Sequence, residues 1–577
     1  MKKITLLLMI FSLNLGFSQR SYWTKTDETK LVSKEKFERA TNPSKAQFYS
    51  LDLQALKDAL VNAPMENPEM SSNLILEFPD FNGNLSRFKV FEAPIMEKGL
   101  MDKFPSIKTY SAQGIDDKTA VLRFSVTNFG LHVMSLSGNS GTYYIDTYTK
   151  DLNNYIVYSR KDIQPARQFG CLVQDEEAMI QNYGRLENQI MVNDGNLRQY
   201  RLAMSCTIEY SAFHLTAAGT PAAASLATKR AVVLSAIVVS MTRVNGIYER
   251  DVAVRMNLVA NNENIIFIDS DSFTNDDGGA MLNENLTVVN AVIGTANYDV
   301  GHVYSTGGGG IAQLGSVCGT GKARGVTGSP SPVGDPFDVD YVAHEMGHQF
   351  GGNHTFNNSC GGNRNTSTAY EPGSGSTIMA YAGITAQNAA LASDDHFHAA
   401  SIQQVQANMV GKTCPTSTTI THGAPVVNAG VNYTIPRSTP FMLTGSATDI
   451  GGGNLTYCWE QFDTMGGTQT GAASAASETK ASGPNWRSYS PTTSPTRYFP
   501  RMSSVLAGSR TTFGSNIVIE ALSSVARTLN FRLTVRDNVV GLGQTNFADM
   551  VVTVDATRGP LVVTSQNTDG VSYDPGT

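Results

Sequence analysis

The chain has 577 residues, a formal net charge of −7 from 43 Lys and Arg against 50 Asp and Glu, and 41% hydrophobic residues. That length suits about three to four domains, and a mild acidic balance without basic clusters argues against a nucleic-acid partner. Six cysteines (Cys171, Cys206, Cys318, Cys360, Cys414 and Cys458) permit disulfides in an exported chain but are too sparse for a disulfide scaffold.

Lys2-Lys3 precedes the apolar run from Ile4 to Phe17, so residues 1–18 read as a bacterial-type secretory signal peptide, too short to span a bilayer stably. The mature protein is therefore expected to be secreted or held at the cell surface. No later stretch approaches 18 uninterrupted apolar residues, and no transmembrane anchor is expected. Residues 19–198 hold an amphipathic helix pattern at 51–60, ended by Ala63-Pro64, and strand-like alternation such as 120–126. Position marks this β-rich region as a pro-domain.

A strand opening at Tyr200, just after Leu197-Arg198, places the start of the next domain near Gln199. The patterning then predicts a helix over 224–248, strands over 252–259 and 265–268, and a helix over 283–294. That alternation implies a twisted mixed sheet packed on helices, an α/β domain over 199–415. Its edge strand, near Gly310, Ile311 and Ala312, can pair with an extended substrate. The oxygen-rich stretch from Asp269 to Gly278 has a composition that suits Ca2+ but not the spacing of an EF-hand loop; a polar turn is the favoured reading. A closing helix is expected over 399–409.

The stretch from His344 to His354 carries the most chemistry. Residues four apart share a helix face, so His344 and His348 can aim at one metal ion, with Glu345 beside the open coordination position. Gly351 suits a left-handed helix end, after which the chain can return His354 as a third ligand. Three neutral imidazoles leave a tetrahedral Zn2+ one position for water, whose pKa falls towards ~7, and Glu345 is then the general base. Asp335 reads as the cap of this helix, Pro336 as its first residue, and Asp338 and Asp340 as negative charge in its first turns.

HExxHxxGxxH is the metzincin signature, and the chain resembles metzincins further on. Ser376 to Tyr381 looks like the Met-turn, with Met379 as a soft floor under the imidazoles. As in astacins and serralysins, a tyrosine follows two residues later; the resemblance implies that Tyr381 stabilises the tetrahedral intermediate, and the plainer alternative is that it only packs. The segment from Gly307 to Cys318 resembles the upper-rim strand and following cysteine of adamalysin/reprolysin-type enzymes, whose pairing habit implies a Cys318–Cys414 disulfide. Glu371 to Met379 is similar to bacterial reprolysin-like peptidases. Thr355, however, stands where adamalysins carry Asp, and His354-Thr355-Phe356 with Cys360 is closer to pappalysins; both branches stay open, with reprolysin-like preferred. The resemblance covers about residues 199 to 415 and implies a zinc endopeptidase acting on protein or peptide substrates. Phe169-Gly170-Cys171 then resembles a cysteine switch, in which the Cys171 thiolate fills the fourth zinc position in a latent zymogen; a buried or disulfide-bonded cysteine is the equal alternative.

From Pro425 the sequence turns to Thr, Ser, Gly and Val with period-two alternation, which indicates an all-β, Ig-like sandwich over 424–556. It resembles PKD and fibronectin-like modules, through which contact with a cell surface or matrix is conceivable. The 463–501 loop is long for such a module and has no assigned role. Residues 557–577 look like the first strand of a further β-module, cut short at Thr577. Two competing readings are an adhesion protein whose β-modules bind the partner and whose zinc domain is vestigial, and an amidohydrolase or peptidoglycan enzyme. The complete ligand set with Glu345 weighs against the first, and the Gly-rich edge strand with the Met-turn against the second.

Overall fold

The computed structural model describes residues 21–67, 71–163, 194–307, 309–451 and 454–564. The proposed signal peptide, Cys171 and residues 565–577 lie outside them.

The N-terminal unit is one nine-stranded antiparallel sheet: β1 (Trp23–Thr26), β2 (Gln47–Leu51), β3 (Ile75–Pro79), β4 (Leu85–Glu92), β5 (Lys108–Gly114), β6 (Val121–Thr127), β7 (Gly130–Leu136), β8 (Tyr143–Thr147) and β9 (Asn154–Ser159), in spatial order 1-2-9-8-7-6-5-4-3. Helix α1 (Leu53–Leu60), capped by Asp52, covers one face, and α2 (Lys98–Lys103) follows β4. Strands β6 to β9 are almost wholly buried because the sheet is covered on both sides. Their period-two side chains divide between two cores. Leu122, Phe124, Val133, Ile145 and Val157 join one with α1, whereas Met134, Leu136, Tyr144, Ile156 and Tyr158 join the core of the central unit.

That central unit is built on β10 (Asn196–Cys206), which runs parallel to both β11 (Val254–Leu258) and β12 (Val300–Ser305). β13 (Gly310–Ala312) and β14 (Gly325–Gly328) extend the sheet on the β12 side, with β13 antiparallel at the edge, and β15 (Thr416–Thr419) pairs antiparallel with β10. Helices α3 (Ile208–Ala217), α4 (Leu226–Val252) and α5 (Gly278–Val292) pack on it. α4 starts at the Ser225 cap, ends at Ala253 in the left-handed region, and is buried almost all round from Val232 onward because the N-terminal sheet lies against it. It is the one described helix long and apolar enough to cross a membrane, and it is core. Arg123 of β6 donates to Glu249 of α4 at 2.8 Å, and Arg243 of α4 pairs with Asp146 of β8.

Three expectations are corrected here. The strand over 265–268 is absent; a helical turn at Asn262–Ile265 stands there, with a single bridge between Cys206 and Ile266. α5 begins five residues before 283, because Asp277 caps it by accepting from the Ala280 amide. Residues 559–564 form no strand, and Leu561, Val562 and Val563 are exposed.

Beyond α8 (Ala399–Met409) the C-terminal unit comprises β16 (Val426–Asn428), β17 (Tyr433–Pro436), β18 (Phe441–Thr444), β19 (Ser446–Thr448), β20 (Thr456–Gln461), β21 (Thr496–Phe499), β22 (Thr511–Phe513), β23 (Val518–Ala521), β24 (Arg527–Arg536) and β25 (Thr545–Asp555). A four-stranded sheet, β17-β25-β24-β20, is accompanied by three two-stranded ones around a core that includes Trp459, Trp486, Phe499 and Phe531. The whole is multidomain: a β-rich N-terminal unit, a mixed sheet with helices, and a C-terminal set of β-strands.

Candidate active site

The segment that carries the histidines is helical in three pieces: α6 (Gly334–Phe337), a wider π turn at Asp338–Val342, and α7 (Ala343–Gln349). Asp335 does not cap it. The cap position is Val333, and Asp335 lies inside the first turn, where its buried carboxylate accepts from Arg160 and Tyr144 of the N-terminal unit. Asp338 and Asp340 are also buried as ion-pair partners, of Arg243 at 2.9 Å and Arg160 at 3.0 Å. The acidic first turns thus serve as anchors between the two units, which their sequence could not reveal because the arginines lie about 95 and 180 residues away. π turns of this kind recur beside functional residues.

α7 ends at Phe350, and Gly351 follows at φ +101°, a conformation that favours glycine. A Cβ on Gly351 would also sit 2.7 Å from Asn408 of α8. The reversal returns His354 to the helix face. His348 Nε2 then lies 3.1 Å from both His344 Nε2 and His354 Nε2. Each imidazole donates its Nδ1 proton to a backbone carbonyl: His344 to Ile378 at 2.6 Å, His348 to Gly352 at 2.8 Å and His354 to Asn363 at 2.7 Å. A carbonyl can only accept, so all three Nε2 atoms present lone pairs to one another. Three converging lone pairs repel unless a cation lies among them, and their spacing is close to the ~3.3 Å edge of a tetrahedron with ~2.05 Å metal–nitrogen bonds. Burial, reinforced by the neighbouring imidazoles, holds His348 and His354 well below the usual histidine pKa, in the neutral form a ligand requires. The trio fits a metal ion.

Glu345 is fully buried beside them. β13 passes so close over it that a Cβ on Gly310 would fall 2.0 Å from Glu345 Oε1. The expected edge strand Gly310–Ala312 therefore also roofs the acid. The turn at 376–381 lies beneath: Met379 Sδ would be 2.4 Å from a Cβ on Gly347, so the bare glycine in the helix is what lets the sulfur under the histidines. The Tyr381 ring lies 4.6 Å from that of His354 and 5.7 Å from that of His344. A polar cavity of about 370 Å³, lined by Asn358, Ser359, Cys360, Asn363, Tyr381 and Thr385 among others, opens on this side.

Residues 210–411 match the model of metallo-peptidase family M12B, reprolysin-like. The match supports a reprolysin-like metallopeptidase. Peptidases of family M12B use zinc, which agrees with the trio of histidines. No curated protein and no solved structure matches the chain. A Cys318–Cys414 disulfide, with Cα atoms 5.9 Å apart, ties the loop after β13 to the segment after α8. Cys206, Cys360 and Cys458 are free.

Other polar residues around the site hold its segments together. Glu371 accepts from the Ser376 amide at 2.9 Å, the Thr377 amide at 3.1 Å and the hydroxyls of Thr355 and Thr377 at 2.5 Å, joining the segment after His354 to the turn. A lone acid among Gly, Pro and Ser gave no signal of that. His398 caps α8 by accepting from the Ala400 amide. His396 lies with Cys458 and Glu460 of the C-terminal unit. The Ser488 hydroxyl stands among these three, 3.0 Å from His396 Nε2 and 2.5 Å from Glu460 Oε1, so the group is knit as a hydrogen-bond network. In the Asp269–Gly278 stretch, Asp271 accepts from the amides of Ile208 and Phe273 and Asp277 caps α5, roles of a polar turn.

Proposed function

We propose that this protein is an exported, zinc-dependent endopeptidase made as a latent zymogen. The observation that carries the reading is the convergence of three Nε2 lone pairs beside a buried glutamate under an edge strand. Held by His344, His348 and His354, zinc would polarise the scissile carbonyl and acidify a water molecule. Glu345 takes the proton of the attacking water and delivers it to the leaving amine. The Tyr381 hydroxyl donates to the oxyanion. β13 aligns the substrate as an added strand, which favours extended polypeptide over compact substrates.

Latency is assigned to Cys171, whose thiolate would take the open metal position until the segment before β10 is cut. The run Lys2 to Phe17 supports export, and the disulfide fits an oxidising destination. The test is hydrolysis of casein by the mature form with and without a chelator. Activity that is abolished by the chelator, restored by zinc and absent from Glu345→Gln is expected. Chelator-insensitive hydrolysis, or a Glu345→Gln variant as active as wild type, would refute the reading.

A further inference from the structure

The 463–501 segment of the C-terminal unit does not lie free; it reaches under the metal site. Arg487 Nε donates to the Ser376 hydroxyl at 3.0 Å, and its Nη2 to Asp394 at 2.9 Å. Ser376 opens the turn that contains Met379. Two residues on, the Ile378 carbonyl accepts the Nδ1 proton of His344, and the Ile378 amide donates to the His396 carbonyl at 3.1 Å. The His396 ring in turn meets Ser488, the neighbour of Arg487. Glu460 of β20 binds the Ser488 hydroxyl with one oxygen and the Ala399 amide, at the start of α8, with the other. Earlier in the same segment, the Ser474 carbonyl accepts from the Gly373 amide at 3.0 Å, and the Met465 carbonyl accepts from Arg364, ten residues after His354.

We propose that the C-terminal β-unit is a working part of the metal site, with Arg487 and Ser488 as positioning residues. Through Ser376 and His396 they fix the turn whose Ile378 carbonyl aims His344. The inference rests on the zinc reading of the three histidines. Its physical basis is that a ligand's second nitrogen sets the ring's direction, and loss of partners outside the ligand set typically costs 10- to 100-fold in metal affinity or activity. Arg487 is suited to the task because a planar guanidinium can hold a hydroxyl and a carboxylate at once, whereas a lysine ammonium is a point charge.

The experiment uses the mature form processed from the full chain, as wild type and as the Arg487→Ala, Arg487→Lys and Ser376→Ala variants. The control is Arg510→Ala, which removes a half-exposed ion pair with Glu478 inside the same unit. Four properties are measured: zinc affinity by chelator competition, the visible spectrum of the cobalt-loaded protein, kcat against KM, and thermal unfolding. Arg487→Ala is expected to bind zinc about tenfold more weakly, to shift the cobalt bands, and to lower kcat at least about tenfold with KM within about twofold. Ser376→Ala should move the same way by less, Arg487→Lys should recover part of the loss, and Arg510→Ala should match wild type. Should Arg487→Ala fail to fold, Ser376→Ala decides by the same readouts. Wild-type affinity, spectrum and kcat in the folded variants, beside a wild type that binds metal, overturn the brace alone. A wild type that takes up neither ion overturns the zinc reading and the brace with it.

Discussion

Gly310→Ala is the sharpest probe of the acid's position. The added Cβ would lie 2.0 Å from Glu345 Oε1, 2.6 Å from its Cδ and 2.8 Å from its Cγ. Ordinary contact begins near 3.4 Å, so the carboxylate, the strand or both must give by more than 1 Å. Glu345 has no exposed surface into which to swing. A displacement of about 1 Å in a reacting group costs on the order of 100-fold, or about 2.7 kcal/mol of transition-state stabilisation. A fall in kcat of that order is expected, with zinc content unchanged because the three atoms nearest the new methyl all belong to Glu345. The assay is steady-state cleavage of a quenched fluorescent peptide, with a double-mutant cycle against Glu345→Gln. If the methyl acts by displacing the acid, Gly310→Ala should add almost nothing to Glu345→Gln. Additive losses, or a loss confined to KM, would mean that Gly310 acts only through substrate pairing, and the reasoning would fall.

Replacing both Cys318 and Cys414 by Ser opens a 96-residue span and should lower unfolding free energy by about 2–4 kcal/mol, read from urea melts under non-reducing conditions. A full-length Cys171→Ala protein should show casein hydrolysis, or cut itself, sooner than wild type; equal latency would assign inhibition to occlusion of the cleft. His214 sits between Tyr210, at 4.4 Å, and Phe129, at 5.9 Å, and burial pushes it down to about 3. Its folded pKa is depressed, so its contribution is complete above the unfolded value of ~6.5 and is lost as pH falls through about 3. Wild-type stability should therefore decline by a few kcal/mol across that window, and His214→Phe should flatten the decline; parallel curves would refute the assignment.

The convergence of the three histidines, the place of Glu345 beside them, the Gly351 reversal and α8 were legible because each rests on local spacing. The 3.6-residue period put His344 and His348 on one face, and the pattern over 399–409 read as a closing helix. What escaped the sequence depends on partners far along the chain. Asp335 reads as a cap from its neighbours alone, yet Arg160 and Tyr144 draw it inward. The apolar 265–268 stretch has strand composition, but only Ile266 meets β10, and the chain turns away. β8 and β9 carry apolar residues on both faces, a pattern that signals cover on two sides without saying that the central unit supplies the second. The 463–501 loop, uninterpretable as sequence, acquires meaning only from Arg487 and Ser488 against Ser376 and His396.

Helix α4 also bears on the order in which the chain folds. Strands β3 to β9 pair largely with their sequence neighbours, so the N-terminal sheet can close from local contacts before residue 226 has been synthesised. The sheet then waits as a ready platform, and Val232, Ala236, Arg243 and Gly246 can settle against Phe129, Asp146, Arg123 and Leu136 as they emerge. A chain started at Asn196 would make the same helix with no platform to receive it, leaving a 27-residue apolar rod free to find membranes or other copies of itself. The nine-stranded N-terminal sheet is the mould in which the catalytic unit sets.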